Sequence, residues 1–382
     1  MDKEVYDVIV VGCGIIGTYT AYRLIQEAKK VLLLDQFSLT YSNGSSKGKS
    51  RGVERTSYLE NNGAIKMMRN YSFTQWEKLD ENYPGKFIRK SSILFVGRKD
   101  ESFLKQANQV ENDGNAKILY QLLSGSDLRQ RYPDLTVPDD YLGLLDLNHR
   151  TLFADEIIKH LMDVFIKKGG KRITAKVKDI RPGDIVRVYA DNSVYKSEKV
   201  LLATGPWSND LLTKLRLPIH LETQHVRLGY WKLKSPEMFT EFPTVAECGS
   251  GSVIWSNMTT EYGPCLKILR NGDSNVDPNH IDSISNKGLT ERLQLYAKER
   301  FKHLEDNPIT IENCIFSYPP DFKPLIGAHP QHKNVVVGVG MCGFGFGLSP
   351  AISSILCDLL CDKPPMFEID EFALSRFTKS VL

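Results

Sequence analysis

The chain has 382 residues, of which 41% are hydrophobic and 25% charged, and its formal net charge is +3. This length accommodates two domains, and the lack of a long basic run argues against a nucleic-acid-binding protein. No apolar run approaches the length of a membrane span, and the seven scattered cysteines include no C-x-x-C pair, which argues against a disulfide framework and a metal site.

The first 35 residues carry the clearest pattern. An apolar strand, "YDVIVVG", is followed by a segment with helical spacing, "IIGTYTAYRLIQEA", and then by a second strand, "KVLLLD". Gly12, Gly14 and Gly17 form a G-x-G-x-x-G turn, and Asp35 ends the second strand. In such a unit the glycines let the backbone approach a pyrophosphate, and the acid accepts ribose hydroxyls. The segment predicts dinucleotide binding.

Further along, helix–strand segments alternate with β-rich segments. "TLFADEIIKHLMDVFIKKGGKRITAKVKDI" predicts a helix and a strand, whereas "HVRLGYWKL", "SVIWSNM" and "PCLKILRNG" predict sheet strands. We therefore expect a nucleotide-binding domain built from residues 1–85, 149–220 and 311–382. An antiparallel-sheet substrate domain, residues 86–148 and 221–310, is interleaved with it.

A second glycine-rich segment, "NVVVGVGMCGFGFGLSP", lies near the C-terminus. An apolar strand runs into glycines and then into a possible helix, which is a pattern that often holds phosphate. It is compatible with a second dinucleotide site, with a second contact to the first dinucleotide, or with a packing turn that binds nothing.

Five segments follow one another along the chain: "VIVVGCGIIG", "NGSSKGKSR", "LLATGPWSN", "ENCIFSYPPDFKPLIGAHP" and "NVVVGVGMCGFGFGLSP". In this order they resemble the monomeric sarcosine oxidase family, which includes peroxisomal sarcosine and pipecolate oxidases and fructosyl amino acid oxidases. The resemblance spans essentially the whole chain. It implies an α/β Rossmann-like FAD domain of the glutathione-reductase type with an antiparallel-sheet substrate domain. It also implies a monomer that oxidises small secondary amino acids and passes two electrons from flavin to molecular oxygen.

The resemblance further implies that one FAD is held by both glycine segments, with the C-terminal one against the isoalloxazine ring. Glycines suit that place because a flat ring and close backbone amides leave no room for side chains. The cofactor contacts that it implies are Gly12, Gly14, Gly17, Asp35, Ser45, Ser46, Arg51, Val177, Gly205, Trp207, Cys314, Gly343, Gly345, Phe346 and Gly347.

Cys314 aligns with the family cysteine that is joined to the flavin 8α carbon through a thioether. A thiolate is a strong nucleophile, so a well-placed cysteine can capture an activated flavin methyl group. We therefore expect covalently bound FAD. The alternative is that Cys314 is only a small buried hydrophobic residue.

Three basic residues are candidates for catalysis. Lys267 matches a family lysine above the flavin, where a cation stabilises negative charge developing on oxygen; otherwise it would be a surface lysine. Arg51 matches an arginine beside the flavin, and Arg55 one that binds the substrate carboxylate with two parallel N–H donors. The spacing R-G-V-E-R is one residue longer than the family R-x-x-R, so Arg51 carries over more directly than Arg55.

The chain departs from the family pattern at positions that face the substrate. Gly347 replaces a lysine that pairs with the substrate carboxylate, Phe344 a histidine, Phe316 an aromatic hydroxyl, Asn271 a histidine and Lys47 a histidine. Losing one of two cations at a buried carboxylate costs about 2–5 kcal/mol of binding. We therefore do not expect sarcosine to be the best substrate.

The sequence leaves three functional alternatives open. The first is an oxidase of N-methyl or cyclic amino acids that releases an imine and hydrogen peroxide. The others are a fructosyl-amino-acid-type or other amine oxidase or dehydrogenase, and a flavin-binding protein whose catalysis has decayed. Ser380, Val381 and Leu382 resemble an S-K-L peroxisomal signal, so we expect a peroxisomal rather than a cytoplasmic location.

Overall fold

The structure is a computed structural model that describes residues 4–38, 50–54, 63–99, 120–235, 237, 241–249, 252–284 and 286–377; for residues 50–54, 252, 273, 274 and 282 it describes only the backbone. The α-helices of the described residues are α1 (Ile15–Gln26), α2 (Gly63–Glu81), α3 (Gly125–Arg131), α4 (Ala154–Lys167), α5 (Asn209–Lys214), α6 (Lys287–Arg300) and α7 (Gly345–Leu360). No described helix has the length and hydropathy needed to cross a membrane.

The strands of the described residues form two sheets. They are β1 (Val5–Val11), β2 (Val31–Asp35), β3 (Ser50–Glu54), β4 (Ile88–Arg98), β5 (Tyr120–Ser124), β6 (Tyr141–Phe153), β7 (Lys171–Thr174), β8 (Val177–Arg181), β9 (Val186–Ala190), β10 (Ser193–Leu202), β11 (Glu222–Lys232), β12 (Thr244–Gly249), β13 (Ser252–Thr259), β14 (Cys265–Ser274), β15 (Thr310–Tyr318), β16 (Leu325–Ala328) and β17 (Val335–Val339).

The first sheet has a parallel centre, in the order β17-β10-β1-β2-β7, with β16 and β9 as antiparallel neighbours. Val8 and Val10 of β1 pack on the side that α1, α4 and α7 cover, whereas Ile9 and Val11 pack on the side of α5. Strands buried on both faces need continuous apolar runs, which is why "VIVV" and "VLLL" do not alternate with polar residues. The predicted Rossmann-like domain is confirmed.

The glycine turn between β1 and α1 is closely packed. Gly12 has a φ of +109°, and a β-carbon there would lie 2.4 Å from the carbonyl oxygen of Ala203, which follows β10. A β-carbon at Gly17 would lie 1.9 Å from the carbonyl oxygen of Gly12. The first turn of α1 therefore rests directly on the backbone of the turn, as the motif predicts.

In the described residues the second sheet contains nine strands, in the order β15-β11-β14-β13-β12-β4-β6-β3 with β5 beside β6. Neighbouring strands are antiparallel, as predicted, except that β12 and β4 are parallel. These two strands come from chain segments that elements of the first sheet separate, so no hairpin constrains their relative direction.

Strand β15 connects the two sheets. It pairs with β11 in the second sheet, and the chain then continues into β16 of the first. Strand β3 likewise pairs with β6, which itself extends to Phe153. Strand β3 lies inside the expected nucleotide-binding segment 1–85, and β15 lies at the start of the expected segment 311–382, yet both strands pair in the second sheet. The residue ranges of the two domains therefore stay a proposal.

We predict that Gly17→Ala lowers the free energy of unfolding by about 1–3 kcal/mol, because an added methyl group overpacks α1 against the turn. Gly63→Ala is the matched control: Gly63 begins α2, and a β-carbon there would meet nothing within 4 Å. Urea unfolding of both variants measures the difference. Equal stability of Gly17→Ala and the unsubstituted protein would contradict the close packing.

Candidate functional site

The N-terminus of α1 has the features of a phosphate site. Gly14 is the N-cap residue, its backbone is extended, and no side chain caps the helix. The first N–H groups of a helix lack intrahelical acceptors, and the helix dipole places partial positive charge there. The turn from Gly12 to Gly14 can therefore hold a pyrophosphate.

Asp35 is fixed beside this turn. Its carboxylate accepts a hydrogen bond from the backbone N–H of Cys13 at 2.5 Å and another from that of Phe37 at 2.7 Å. A carboxylate has about four acceptor sites, so the predicted bonds to ribose hydroxyls remain possible. Burial and the nearby Asp35 raise the pKa of the Cys13 thiol to about 12, so Cys13 stays neutral.

Arg172 extends this end of the site, and the sequence analysis did not identify it. It donates from Nη2 to the carbonyl oxygen of Phe37 at 2.6 Å, and within the described chain its buried Nε has no hydrogen-bond partner. Phe37 in turn packs edge-on against Trp207, with ring centroids 5.3 Å apart. Only the position of β7 beside β2 brings Arg172 here, so no local signal could have identified it.

Two other predicted contacts lie in the same part of the fold. Gly205, with a φ of +52°, begins the 3-10 helix Gly205–Trp207, and a β-carbon there would meet nothing within 4 Å. Val177 begins β8 and packs against the core on the α5 side of the first sheet. Both positions remain predicted cofactor contacts.

The C-terminal glycine loop lies against the end of β15. Gly340, Cys342 and Gly343 have φ values of +66°, +52° and +84°, and the N–H of Cys342 donates to the carbonyl oxygen of Ser317 at 3.2 Å. A β-carbon at Gly343 would lie 3.7 Å from the ring of Phe316. The loop is thereby joined to the strand that carries Cys314.

The first turn of α7 is held by α2. Trp76 stacks on Phe346, with ring centroids 6.0 Å apart, and its Nε1 donates to the carbonyl oxygen of Gly347 at 2.9 Å. The side chain of Phe346 therefore belongs to the core, and a cofactor contact at Gly345 or Phe346 would use the backbone. The buried guanidinium of Arg69 lies 5.2 Å from the ring centroid of Phe344, at the N-cap of α7.

One side of the second sheet carries the other predicted site residues. We call it the Cys314 face; it is formed by Val226 and Tyr230 on β11, Lys267 on β14, and Cys314 and Phe316 on β15. Their side chains share this side because Val226 pairs with Cys314 and Tyr230 pairs with Lys267 in the sheet register. Cys314 and Lys267 thus lie on the Cys314 face, and the C-terminal glycine loop is joined to it through β15.

Lys267 is only 1% exposed, which excludes the alternative of a surface lysine. Its Nζ lies 2.9 Å from Oε1 of Glu261, whose side chain is 4% exposed, and 5.7 Å from the ring centroid of Tyr230. Breaking a buried ion pair of this kind is strongly destabilising, since one charge is left buried without its partner. The sequence analysis did not identify Glu261, although it lies close to Lys267 in sequence, in the turn that connects β13 to β14.

Two of the positions that depart from the family pattern, Asn271 and Phe316, both lie beside Tyr318. Asn271 donates from Nδ2 to Oε1 of Gln224 at 2.9 Å. Burial raises the pKa of Tyr318, while a hydrogen bond with Asn271 acts in the opposite direction. Tyr318 is two residues after Phe316, so both side chains lie on the same side of β15. A phenol hydroxyl therefore lies near Phe316, and Asn271 contacts it.

Several predicted site residues cannot be placed. Ser45, Ser46, Lys47 and Arg55 lie outside the described residues, as does the C-terminal tripeptide. Arg51 is described only by its backbone, which pairs with Leu152 in the second sheet. The roles of these residues stay predictions.

Comparison with known proteins agrees with this geometry. The profile of the DAO family, described as FAD dependent oxidoreductase, matches residues 7–359. Peroxisomal sarcosine oxidase of Homo sapiens is 31% identical over 383 residues, which are 98% of this chain and 97% of the relative. Monomeric sarcosine oxidase of Bacillus sp. (strain B-0618) is 27% identical over 97% of this chain and 96% of its own.

Among solved structures, the chain is similar to the open form of NikD, described as an unusual amino acid oxidase essential for nikkomycin biosynthesis. The TM-score is 0.85 at 21% identity, with 97% of this chain and 98% of that chain covered. At that identity the likeness concerns the fold alone. The family profile and the human relative show that the chain belongs to the FAD-dependent oxidoreductases of the DAO family and, within them, to the sarcosine oxidases, which act on CH–NH groups.

Proposed function

We propose that the protein is an FAD-dependent oxidase of secondary amino acids, either N-methyl or cyclic. The products are an imine, which hydrolyses to an aldehyde and an amine, and hydrogen peroxide. The observation that carries the proposal is the buried cation of Lys267, which shares the Cys314 face with the strand that supports the C-terminal glycine loop.

The residues present fit FAD. The uncapped N-terminus of α1 suits the pyrophosphate, and Arg172 has a buried donor at the nucleotide end that is unused by the described residues. At the other end, the glycines of the C-terminal loop leave room beside Phe316. When bound, FAD supplies the acceptor for the hydride equivalent. The protein holds the substrate and supplies the charge around it.

Altered specificity explains the departures better than decayed catalysis does. Gln224, Asn271 and Tyr318 form a connected polar group on the same side of the second sheet as Cys314, rather than isolated polar atoms. Natural proteins satisfy buried polar groups in this way when the arrangement is maintained. We propose that this neutral group contacts a substrate larger than sarcosine.

Anaerobic reduction tests the proposed function. We expect at least one cyclic or bulky N-methyl amino acid to bleach the flavin absorbance faster than sarcosine does, because the cationic position of the glycine loop is Gly347. A panel containing sarcosine, pipecolate and N-methyltryptophan, with peroxide measured after oxygen is admitted, covers the alternatives. Bound FAD that no secondary amine reduces would instead support decayed catalysis.

We also propose that FAD is attached covalently to Cys314. The thiol is buried on β15 and lies opposite Val226, which fixes the direction of its side chain. Bonding of Sγ to the 8α carbon would release the thiol proton and one methyl proton, and the two electrons of the broken C–H bond would remain on the flavin for oxygen to remove.

Acid precipitation distinguishes covalent from non-covalent FAD. We expect the yellow colour to remain with the precipitated protein and to move to the supernatant in Cys314→Ser, because serine cannot form the thioether. Cys265→Ser is the matched control, since Cys265 is buried in the same hydrophobic cluster. Colour in the supernatant of the unsubstituted protein would refute the covalent link.

Lys267 is proposed to promote the reaction with oxygen. Its charge lies in a site from which water is largely excluded, where electrostatic stabilisation is stronger than in bulk water. Retention of this cation favours an oxidase over a dehydrogenase that uses another acceptor.

We predict that Lys267→Met slows flavin reoxidation roughly 100-fold, the effect typical of losing one preorganised electrostatic group, while flavin reduction changes much less. Stopped-flow absorbance measures the two half-reactions separately. If both fall by the same factor, Lys267 does not have this role.

Location and assembly are two further proposals. A peroxisomal location is supported by the names of the human and mouse relatives, and a monomer by the names of the bacterial ones. A fluorescent fusion with a free C-terminus and light scattering of the purified protein test the two proposals.

A further inference from the structure

A chain of hydrogen bonds leads from Lys267 toward the protein surface. Glu261 binds Lys267 through Oε1 at 2.9 Å and accepts from the hydroxyl of Tyr230 through Oε2 at 2.7 Å. The same hydroxyl lies 3.4 Å from Oε2 of Glu312, and the hydroxyl of Tyr262 donates to Oε1 of Glu312. The two carboxylates are thus joined through Tyr230.

The exposed fraction of these groups increases from Tyr230 outward. Tyr230 is 1% exposed, Glu312 is partly exposed, and Tyr262 is 45% exposed. The elements that supply them are β14, β11, β15 and the β13–β14 turn, so only the assembled sheet creates the sequence of contacts. The inner end is the cation on the Cys314 face, and the outer end reaches solvent.

We propose that Glu261, Tyr230 and Glu312 form a proton relay that returns a proton from solvent to Lys267 after each catalytic cycle. The proposal rests on the proposed function, because it assumes that Lys267 gives up a proton when oxygen is reduced. It assigns positioning and proton-transfer roles to three residues that do not need to touch the substrate.

The protons and electrons of this cycle balance. Reduction of oxygen to hydrogen peroxide takes two electrons and two protons. The hydride equivalent from the substrate supplies both electrons and one proton, and Lys267 supplies the other. The substrate, having lost a hydride, leaves as an iminium ion and releases its N–H proton to water when it becomes the imine. Glu312 then receives a proton from water and passes it to Tyr230, Tyr230 passes its own proton to Glu261, and Glu261 reprotonates Lys267. In the relay itself only O–H and N–H bonds form and break, and each group returns to its starting charge.

The chemistry of each group suits its step. A carboxylate can accept a proton at one oxygen and release a proton from the other. A phenol can donate and accept a proton at its single oxygen. The hydrogen bond to Glu312, together with burial, raises the pKa of Tyr262, so Tyr262 stays a neutral donor at the outer end.

A second buried network in the same sheet provides the control. Tyr141 donates to Oε1 of Glu247 at 2.8 Å, and Arg300 donates to both carboxylate oxygens. In both networks a tyrosine hydroxyl donates a hydrogen bond to a glutamate carboxylate. Three strands separate β12 from β15, however, and five separate β6 from it, so this network lies away from the Cys314 face.

The kinetic experiment compares the first turnover with later ones in Tyr230→Phe, Glu312→Gln and the control Tyr141→Phe. Lys267 already carries its proton at the start, so we expect single-turnover reoxidation within twofold of the unsubstituted rate in all variants. Steady-state turnover should fall roughly 10-fold or more in Tyr230→Phe and Glu312→Gln only, as expected when a proton-transfer group is removed. Unchanged steady-state turnover in both would overturn the relay.

A measurement without turnover completes the test. In protein labelled with ¹⁵N-lysine, the Nζ signal of Lys267, assigned by its loss in Lys267→Met, reports exchange of its protons with solvent. We expect exchange to slow at least roughly 10-fold in Glu312→Gln and Tyr230→Phe but not in Tyr141→Phe. Equal exchange rates would refute the relay. Slower first-turnover reoxidation in Lys267→Met tests the role of Lys267 independently, so failure of one proposal is distinguishable from failure of the other.

Discussion

The site depends on the passage of β15 from one sheet to the other. This strand pairs with β11 in the second sheet and continues directly into the edge of the first, and its Ser317 carbonyl accepts the N–H of Cys342 in the C-terminal glycine loop. One short segment therefore joins Cys314 to the C-terminal glycine loop and to the first sheet.

The second constraint is the burial of charge. An ammonium group as inaccessible as that of Lys267 is maintained only with a close partner, because removing an ion from water costs several kcal/mol. Glu261 provides that partner, and Tyr230 and Glu312 continue the network. The arrangement keeps a cation inside the protein while connecting it to the surface, which a hydrophobic replacement of similar volume could not do.

The departures from the family pattern at Phe316 and Asn271 are explained only when both residues are considered together. Phe316 and Asn271, taken singly, suggest lost hydrogen bonds. In the sheet, Asn271 contacts both Gln224 and Tyr318, so the polar surface has moved rather than disappeared. Trp76 similarly explains why Gly347 can keep a defined position, since the indole N–H binds its carbonyl oxygen.

The sequence by itself determined the β-α-β unit, the glycine turns, the parallel sheet and the family. These depend on local patterns, namely apolar periodicity and glycines where a β-carbon would strike the backbone, as at Gly17. It also identified Lys267 and Cys314 as candidates. Only the tertiary structure decided that Arg172 donates to the carbonyl oxygen of Phe37, that Glu261 neutralises Lys267, and that Tyr230 joins Glu261 to Glu312. Such partners come from different strands, and which side chains meet is set by sheet order and register, because a shift of one residue turns every side chain to the opposite face.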